Sequence, residues 1–395
     1  MPVNQQITVK NVKKGIKKFL LPDTFYLQAY SAAPYMACGH GCTYCDGRAE
    51  RYYVAGDFEQ DLIVRQNLPQ VFAQELAKLR EQGTIFFGSG ITDCYQPLEA
   101  EYKIMAKLAE SMQNSRFSAT VLTKSALIRR DLPLWSALNQ SSGFSFMTSL
   151  VFSDDNLRKI FEPKASSVNA RLSTLAACKA AGISSGVSAM PFIPFIGDSK
   201  KQIENLIGKL AELQIDWFIP GFLTLRPGRQ KDFFLNCIKQ HFPAYLEDFQ
   251  QLYSENRSSG IGKTSYYRPL SKMISSLLAD YKIPQLIPHK VYRGRFPIYS
   301  EIYILLEHML QLYPKSVAKN RLAQSSKLYR EWLSSEKKSF NRRRSISQFQ
   351  QEEQFRLLIR NGKLARIIDN QKLADFIGKV ALEGAIFDYL ELDLD

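Results

Sequence analysis

The chain has 395 residues, 45% of them hydrophobic, and a formal net charge of +14. This length predicts two to three domains, and the composition is sufficient for a large core. Its apolar runs are shorter than the ~18 residues of a membrane span, and the basic N-terminus lacks the apolar segment of a signal peptide. Six cysteines are too few for a disulfide scaffold in so long a chain. We therefore expect a cytoplasmic protein that has no membrane partner.

The hydrophobic pattern from residue 25 onward alternates between short β-rich runs and helical periodicity. Strands are predicted at residues 25–30, 84–87, 119–123, 144–151, 186–192 and 216–219. Helices are predicted between them, at residues 67–82, 97–114, 130–138, 167–181 and 200–213. This alternation is typical of a parallel sheet or barrel, with fewer units than the eight of a closed barrel.

The pattern changes after residue 228, where the alternation ends. Residues 232–255 are predicted to be helical, 256–272 to form a loop, 299–395 to be mostly helical and basic, and the acidic end 391–395 to be frayed. The predicted organisation is a basic N-terminal lead-in at 1–24, an α/β core at 25–235 and a mostly helical basic region at 236–395.

Three cysteines lie within eight residues, at Cys38, Cys42 and Cys45, with the spacing C-x3-C-x2-C. Three soft ligands on one tight loop suit an iron–sulfur cluster or zinc. A closed structural zinc site needs four ligands, and the only other candidate nearby is His40 inside the loop. A cubane cluster held by three cysteines leaves one iron open to a substrate or cofactor. The alternatives are a zinc loop completed by a distant ligand, a disulfide with a spare thiol, and chance clustering.

Other patterns carry weaker signals. The predicted strand at 84–87 runs into Gly88-Ser89-Gly90, where the backbone can approach a ligand closely, although an ordinary turn has the same composition. The segment GIGKTS does not form a phosphate loop, because Arg257 replaces the first required glycine. The basic residues around Phe340 could contact phosphates while the ring stacks on a base, or they could form a solvated loop. The net charge favours a polyanion such as nucleic acid or an anionic surface, and the alternative is a solvated basic surface with no specific partner.

The cysteine spacing, with the aromatic Tyr44 before the last cysteine, closely resembles the signature of the radical S-adenosylmethionine (SAM) superfamily. In that family the open iron of a [4Fe–4S] cluster binds the amino and carboxylate groups of SAM. An electron from the cluster then cleaves SAM to a 5′-deoxyadenosyl radical. The resemblance implies an α/β fold, a partial (β/α)6 TIM-like barrel, here with a mostly helical C-terminal extension.

Four blocks resemble, in order and spacing, the spore photoproduct lyase-like branch of that superfamily, often labelled DNA repair photolyase-like. They are GSGITDCYQPLEAEY, VLTKSALIRRDL, FEPKASSVNARLSTLAACKAAGI and GVSAMPFIPFIGD, and the likeness covers residues 25–235. It implies that the three loop cysteines bind the cluster and that Tyr44 packs near the adenine. The resemblance assigns the remaining SAM contacts to Ser89, Gly90, Lys124 and Ser149. The alternative for Lys124 is that it only caps a nearby carboxylate.

One departure from the branch concerns the hydrogen-atom donor. The lyase uses a cysteine just before its equivalent of Thr92-Asp93, whereas this chain has Gly90-Ile91 there and Cys94 after the aspartate. Cys94 is therefore either a displaced catalytic donor or a buried filler, and thymine-dimer repair is in doubt. Cys178 and Cys237 fall in helical patterns and are predicted to be structural. Arg171 either reaches the SAM carboxylate or faces solvent.

Together these features predict a radical SAM enzyme that abstracts hydrogen from a substrate, with nucleic acid as the leading class. Its expected partner is a reductant such as flavodoxin or ferredoxin. One alternative is a radical SAM enzyme acting on a peptide or small metabolite. The other is a non-enzymatic zinc or iron–sulfur module that binds nucleic acid.

Overall fold

The computed structural model describes residues 6–52, 56–88, 91–313, 316–343 and 345–394. Within them the strands are β1 Gln6–Lys10, β2 Lys17–Asp23, β3 Gln28–Ser31, β4 Tyr35–Met36, β5 Asp61–Arg65, β6 Thr84–Phe87, β7 Ser118–Thr123, β8 Phe144–Ser149, β9 Ser184–Phe192 and β10 Trp217–Phe222.

The α-helices of the described residues are α1 Leu68–Leu76, α2 Glu99–Tyr102, α3 Ile104–Met112, α4 Leu132–Ser141, α5 Asp155–Phe161, α6 Val168–Ala180, α7 Lys200–Glu212, α8 Arg229–His241, α9 Leu246–Leu252, α10 Thr264–Asp280, α11 His289–Tyr292, α12 Ile298–Leu312, α13 Val317–Arg342, α14 Gln348–Arg360, α15 Lys363–Ile368 and α16 Gln371–Gly378. Short 3-10 helices span Asp46–Arg48, Glu50–Tyr52, Ala126–Asp131 and Pro243–Tyr245, and a π-helical turn spans Lys379–Glu383.

The main sheet has seven strands in the order β10-β9-β8-β7-β6-β3-β2. The six strands from β3 to β10 in this order pair in parallel, and only β2 is antiparallel to its neighbour. These six correspond to the six predicted strands, so the α/β partial-barrel prediction is confirmed. Because β2 and β10 are the edges of the sheet, the barrel is open.

The basic lead-in contributes two strands to the fold. β1 pairs in parallel with β5 in a separate three-stranded sheet that also contains β4. β2 forms the edge of the main sheet, where Pro22 can lack a backbone donor without disrupting a central ladder. The described part of the segment is thus ordered by pairing with strands that follow it in the chain.

The predicted helix over 97–114 is wrong as a single element, because it breaks at Lys103, which has a φ of +49°. The carboxylate of Glu99 accepts the N–H groups of Ile104 and Met105, each at 3.0 Å. It therefore satisfies backbone donors at the start of a second helix, and the chain changes direction between α2 and α3.

The C-terminal helices pack into the open side of the barrel. Alternate residues of a strand share a face, so Met147 of β8 lies on the same face as Ser149. Met147 and Trp217 of β10 belong to the same buried cluster as α12, which is buried around its whole circumference. These helices therefore cover the inner face of the sheet below Ser149.

Two predictions for this region are wrong. The loop predicted at 256–272 ends early, because α10 begins at Thr264. The acidic end is ordered up to Leu394 rather than frayed. The N–H of Asp388 donates to the carbonyl of Asp393 at 2.8 Å. An isolated β-bridge also pairs Phe387 with Leu394. Across the described residues, no helix combines the length and apolar character needed to cross a bilayer.

Candidate cofactor site

The cysteine loop, residues 38–45, follows β4 and is held by segments distant in sequence. The N–H of Gly39 donates to Oε1 of Gln96 at 2.7 Å, and the N–H of Thr43 donates to the carbonyl of Phe161 at 2.9 Å. Gly41 adopts a φ of +68°, and a Cβ there would lie 2.6 Å from the carboxylate of Glu59. The loop thus needs glycine at this position, and its shape is set by contacts with the rest of the barrel.

The thiols of Cys38, Cys42 and Cys45 are available as ligands. All six cysteines of the chain are described, and none forms a disulfide. Burial raises the pKa of all three loop thiols, that of Cys42 to about 12. Thiolates in this position therefore need a compensating positive charge, which a metal centre supplies.

The arrangement of the thiols bears on the kind of metal centre. Among the described side chains, no three His, Cys, Asp or Glu groups converge closely enough to hold a single metal ion. A cubane cluster instead binds each thiolate at a different iron, so its ligands need not meet at one point. The donor set fits an iron–sulfur cluster better than a mononuclear zinc site.

The three cysteines line a cavity of about 80 Å³ at the C-terminal ends of β7 and β8. Its lining residues are Cys38, His40, Cys42, Tyr44, Cys45, Thr92, Asp93, Leu122, Thr123, Lys124 and Ser149. A larger cleft of about 460 Å³ lies between the other end of the sheet and the C-terminal segment, but no cysteine or histidine lines it. The chemistry-bearing side chains therefore lie at the end of a parallel sheet where barrel enzymes place their sites.

Lys124 extends from the end of β7 toward the cysteine loop. Its Nζ lies 5.8 Å from the ring centroid of Tyr44. Burial opposes the charged ammonium, but Cys42 and Glu162 outweigh it and raise the pKa of Lys124. Within the described part of the chain, Nζ forms no hydrogen bond or ion pair, so Lys124 does not cap a nearby carboxylate. The cavity thus contains a cation available for an anionic ligand.

A buried ion pair lies behind the cavity. Arg171, 1% exposed, pairs with Glu162, which is fully buried. The hydroxyl of Tyr44 also donates to Glu162, and Nη1 of Arg171 donates to the carbonyl of Ser149 at 2.8 Å. The alternative that Arg171 faces solvent is therefore wrong.

The other predicted residues have different outcomes. Ser89 and Gly90 lie outside the described residues. Cys94 is buried, with Sγ 3.4 Å from the carbonyl of Phe87, and it does not line the cavity. Its role as a hydrogen-atom donor stays a prediction. Cys178 is fully buried, as expected for a structural residue.

Sequence reasoning missed several residues that support the loop. Nε2 of Gln230 donates to the carbonyl of Tyr44 at 3.2 Å, and Nε of Arg48 donates to the carbonyl of Cys42 at 3.1 Å. No local pattern marks Gln230, because its role depends on where α8 lies against the loop. Glu162 carried a usable signal, since it belongs to a block that resembles the lyase-like branch.

The base-stacking hypothesis for the cluster around Phe340 is wrong. Phe340 is buried, and the guanidinium of Arg80 lies 4.2 Å from its ring centroid. Lys337 is buried too and pairs with Glu81 at 3.3 Å. Both side chains attach α13 to the barrel and are unavailable to a nucleic acid.

The comparison with known protein families agrees with this geometry. Residues 33–209 match the model of the radical SAM superfamily, and they include the cysteine loop and strands β5 to β9. The match covers the part of the chain that carries the candidate cofactor site.

The chain is also similar to individual proteins and to a solved structure. An uncharacterised protein of Mycobacterium tuberculosis strain H37Rv is 28% identical over 259 residues, covering 64% of this chain and 75% of the relative. An uncharacterised protein of Methanocaldococcus jannaschii is 25% identical over 276 residues, covering 70% and 95%. Spore photoproduct lyase complexed with dinucleoside spore photoproduct superposes with a TM-score of 0.52 at 13% identity, over 70% of this chain and 79% of the lyase. The likeness to the lyase concerns the fold.

Proposed function

We propose that this protein is a radical SAM enzyme in which Cys38, Cys42 and Cys45 hold a [4Fe–4S] cluster. The observation that carries the proposal is the single cavity shared by these three thiols with Lys124 and Ser149. These residues come from three separate segments of the chain. A metal centre, a cation and a hydroxyl at one barrel end match the chemical groups of SAM.

In this proposal the protein side chains bind SAM and orient it. The ammonium of Lys124 pairs with the carboxylate of SAM, the hydroxyl of Ser149 bonds its ribose, and the ring of Tyr44 packs near its adenine. Ser89 and Gly90 contact its methionine end. When bound, the cluster and SAM supply a 5′-deoxyadenosyl radical that abstracts hydrogen from the substrate. The buried walls of the cavity keep water away from the reacting groups.

Nucleic acid is the substrate class we propose first. The net charge of +14 favours a polyanion, and a protein of similar fold has been solved with a dinucleoside photoproduct. Cys94 is the proposed hydrogen-atom donor, and a flavodoxin or ferredoxin the proposed reductant. We place the protein in the cytoplasm, where thiols stay reduced.

Anaerobic reconstitution tests the cluster and the reaction together. Wild-type protein should be brown, contain about four iron atoms per chain, and form 5′-deoxyadenosine when dithionite and SAM are added. Cys42→Ala should lose both the colour and the cleavage. Cys178→Ala, which removes a buried thiol outside the cavity, should keep both. A colourless wild-type protein that binds one zinc and leaves SAM intact would falsify the proposal.

A separate measurement tests the substrate class. If nucleic acid is the substrate, the affinity for a DNA or RNA oligonucleotide should fall steeply as the salt concentration rises, because counterions are released on binding. Absence of binding at low salt, combined with normal SAM cleavage, would favour a peptide or small-metabolite substrate.

A further inference from the structure

Two buried side chains connect the predicted SAM contacts to one another. Glu162 accepts the hydroxyl of Tyr44 through one carboxylate oxygen and pairs with Arg171 through the other. Arg171 then donates to the carbonyl of Ser149 at 2.8 Å. A continuous chain of polar contacts therefore joins the cysteine loop to the end of β8.

The same two residues influence Lys124. Nζ of Lys124 lies 5.8 Å from the ring centroid of Tyr44, whose hydroxyl donates to Glu162. One ion pair thus contacts Tyr44 through its hydroxyl and Ser149 through its backbone carbonyl, and Tyr44 in turn lies beside Lys124. A buried ion pair adds little net stability compared with apolar residues of similar volume. Its main effect here is the geometry that it imposes.

We infer that Glu162 and Arg171 are positioning residues of the SAM site, which hold the ring of Tyr44 and the end of β8 in the arrangement that SAM requires. This inference rests on the proposed function. Neither side chain lines the cavity, so both act through the residues that do.

The chain contains a matched arrangement that serves as a control. The hydroxyl of Tyr35 donates to Glu99 at 2.5 Å, and Nη2 of Arg130 donates to the other oxygen of Glu99 at 2.6 Å. Glu99 is fully buried, like Glu162. None of these three residues lines the cavity. The two arrangements therefore share their chemistry and a buried carboxylate, although Arg130 is 26% exposed, and they differ in what they support.

The experiment measures SAM binding to the reconstituted full-length protein by equilibrium dialysis, together with iron content and the electron paramagnetic resonance spectrum of the reduced cluster. Glu162→Gln and Tyr44→Phe should each weaken SAM binding about tenfold, since each breaks a hydrogen bond to a charged group. Both changes remove the same hydrogen bond between Tyr44 and Glu162. The double variant should therefore bind SAM no more weakly than the single variant with the lower affinity. Iron content should stay at the wild-type level.

The control variants separate positioning from stability. Glu99→Gln and Tyr35→Phe should lower the resistance to urea and leave SAM binding within about twofold of wild type. The spectral change on SAM addition should need about tenfold more SAM in Glu162→Gln and be unaltered in Glu99→Gln.

Several results would overturn the inference. Wild-type SAM affinity in both Tyr44→Phe and Glu162→Gln refutes it, as does an equal loss of affinity in the Glu99→Gln control. If Glu162→Gln does not fold, the SAM affinity of Tyr44→Phe alone tests the inference, because this variant keeps the ion pair between Glu162 and Arg171 intact. A wild-type protein that carries the cluster but binds no SAM would instead refute the proposed function, and the inference with it.

Discussion

Nε2 of His40, inside the cysteine loop, lies 3.4 Å from Oδ2 of Asp93, which follows β6. The carboxylate of Asp93 also accepts the hydroxyl of Thr123 at 2.5 Å and the N–H of Lys124 at 2.8 Å. One buried carboxylate therefore connects the loop that carries the cysteines with the strand end that carries the candidate cofactor cation. The position of the cysteine loop relative to Lys124 depends on this connection.

Asp93 should make stability depend on pH under acidic conditions. Burial alone would raise the pKa of this carboxyl, but His40, Thr123 and the N–H of Lys124 together lower it to about 2. The unfolded value is about 3.9, so the stabilisation is present above pH 4 and is lost as the pH falls toward 2. In urea unfolding of metal-free protein, wild type should lose about 1 kcal/mol more than Asp93→Asn between pH 5 and pH 3. Equal losses would show that Asp93 is not the group responsible.

Replacing Lys124 should weaken SAM binding. Lys124→Met keeps the aliphatic stem and removes the charge, so the affinity for SAM should fall at least about tenfold. The matched control is Lys337→Met, which removes another buried ammonium, the one paired with Glu81. That variant should be less stable and bind SAM normally. An equal effect of both substitutions on SAM binding would mean that Lys124 acts only through stability.

The contact between the C-terminal helices and the barrel should be required for stability. Leu305 of α12 is fully buried in the cluster that also contains Met147 of β8. Leu305→Ala should lower the free energy of unfolding by about 2–5 kcal/mol, measured by urea denaturation. Leu357→Ala on α14, where the side chain is 53% exposed, should change it by less than about 0.5 kcal/mol. A second, separate transition would indicate that the helices unfold independently.

Close packing inside the barrel should exclude a side chain at Gly186. A Cβ there would lie 2.4 Å from the ring of Trp217, so Gly186→Ala should cost about 1–3 kcal/mol of stability. Gly208 lies within α7, and a Cβ there would approach only the hydroxyl of Tyr281, at an ordinary 3.5 Å. Gly208→Ala should therefore stabilise the protein by about 0.5–1 kcal/mol. Thermal unfolding of both variants checks the pair, and a stable Gly186→Ala would contradict the packing argument.

The local sequence pattern was sufficient to predict those features that depend only on residues close together in the chain. The three loop cysteines lie within eight residues, so their spacing alone predicts a metal site. The strand at 84–87 was predicted with its observed bounds, because all four of its residues are buried and apolar or β-branched. The alternation of strands and helices likewise predicted the parallel sheet, since such units connect parallel neighbouring strands.

Tertiary structure decided what depends on residues far apart in the chain. Phe340 looked like an accessible aromatic in a basic segment, yet it is buried beneath Arg80, some 260 residues earlier. The ion pair of Glu162 with Arg171, and its contact with Tyr44, likewise appear only when α5, α6 and the cysteine loop come together. By itself the sequence determined which atoms can bind a cluster, because ligand chemistry is a property of residue type and local spacing. The fold alone decided which side chains hold those ligands in place, because hydrogen bonds and burial depend on distances that periodicity does not encode.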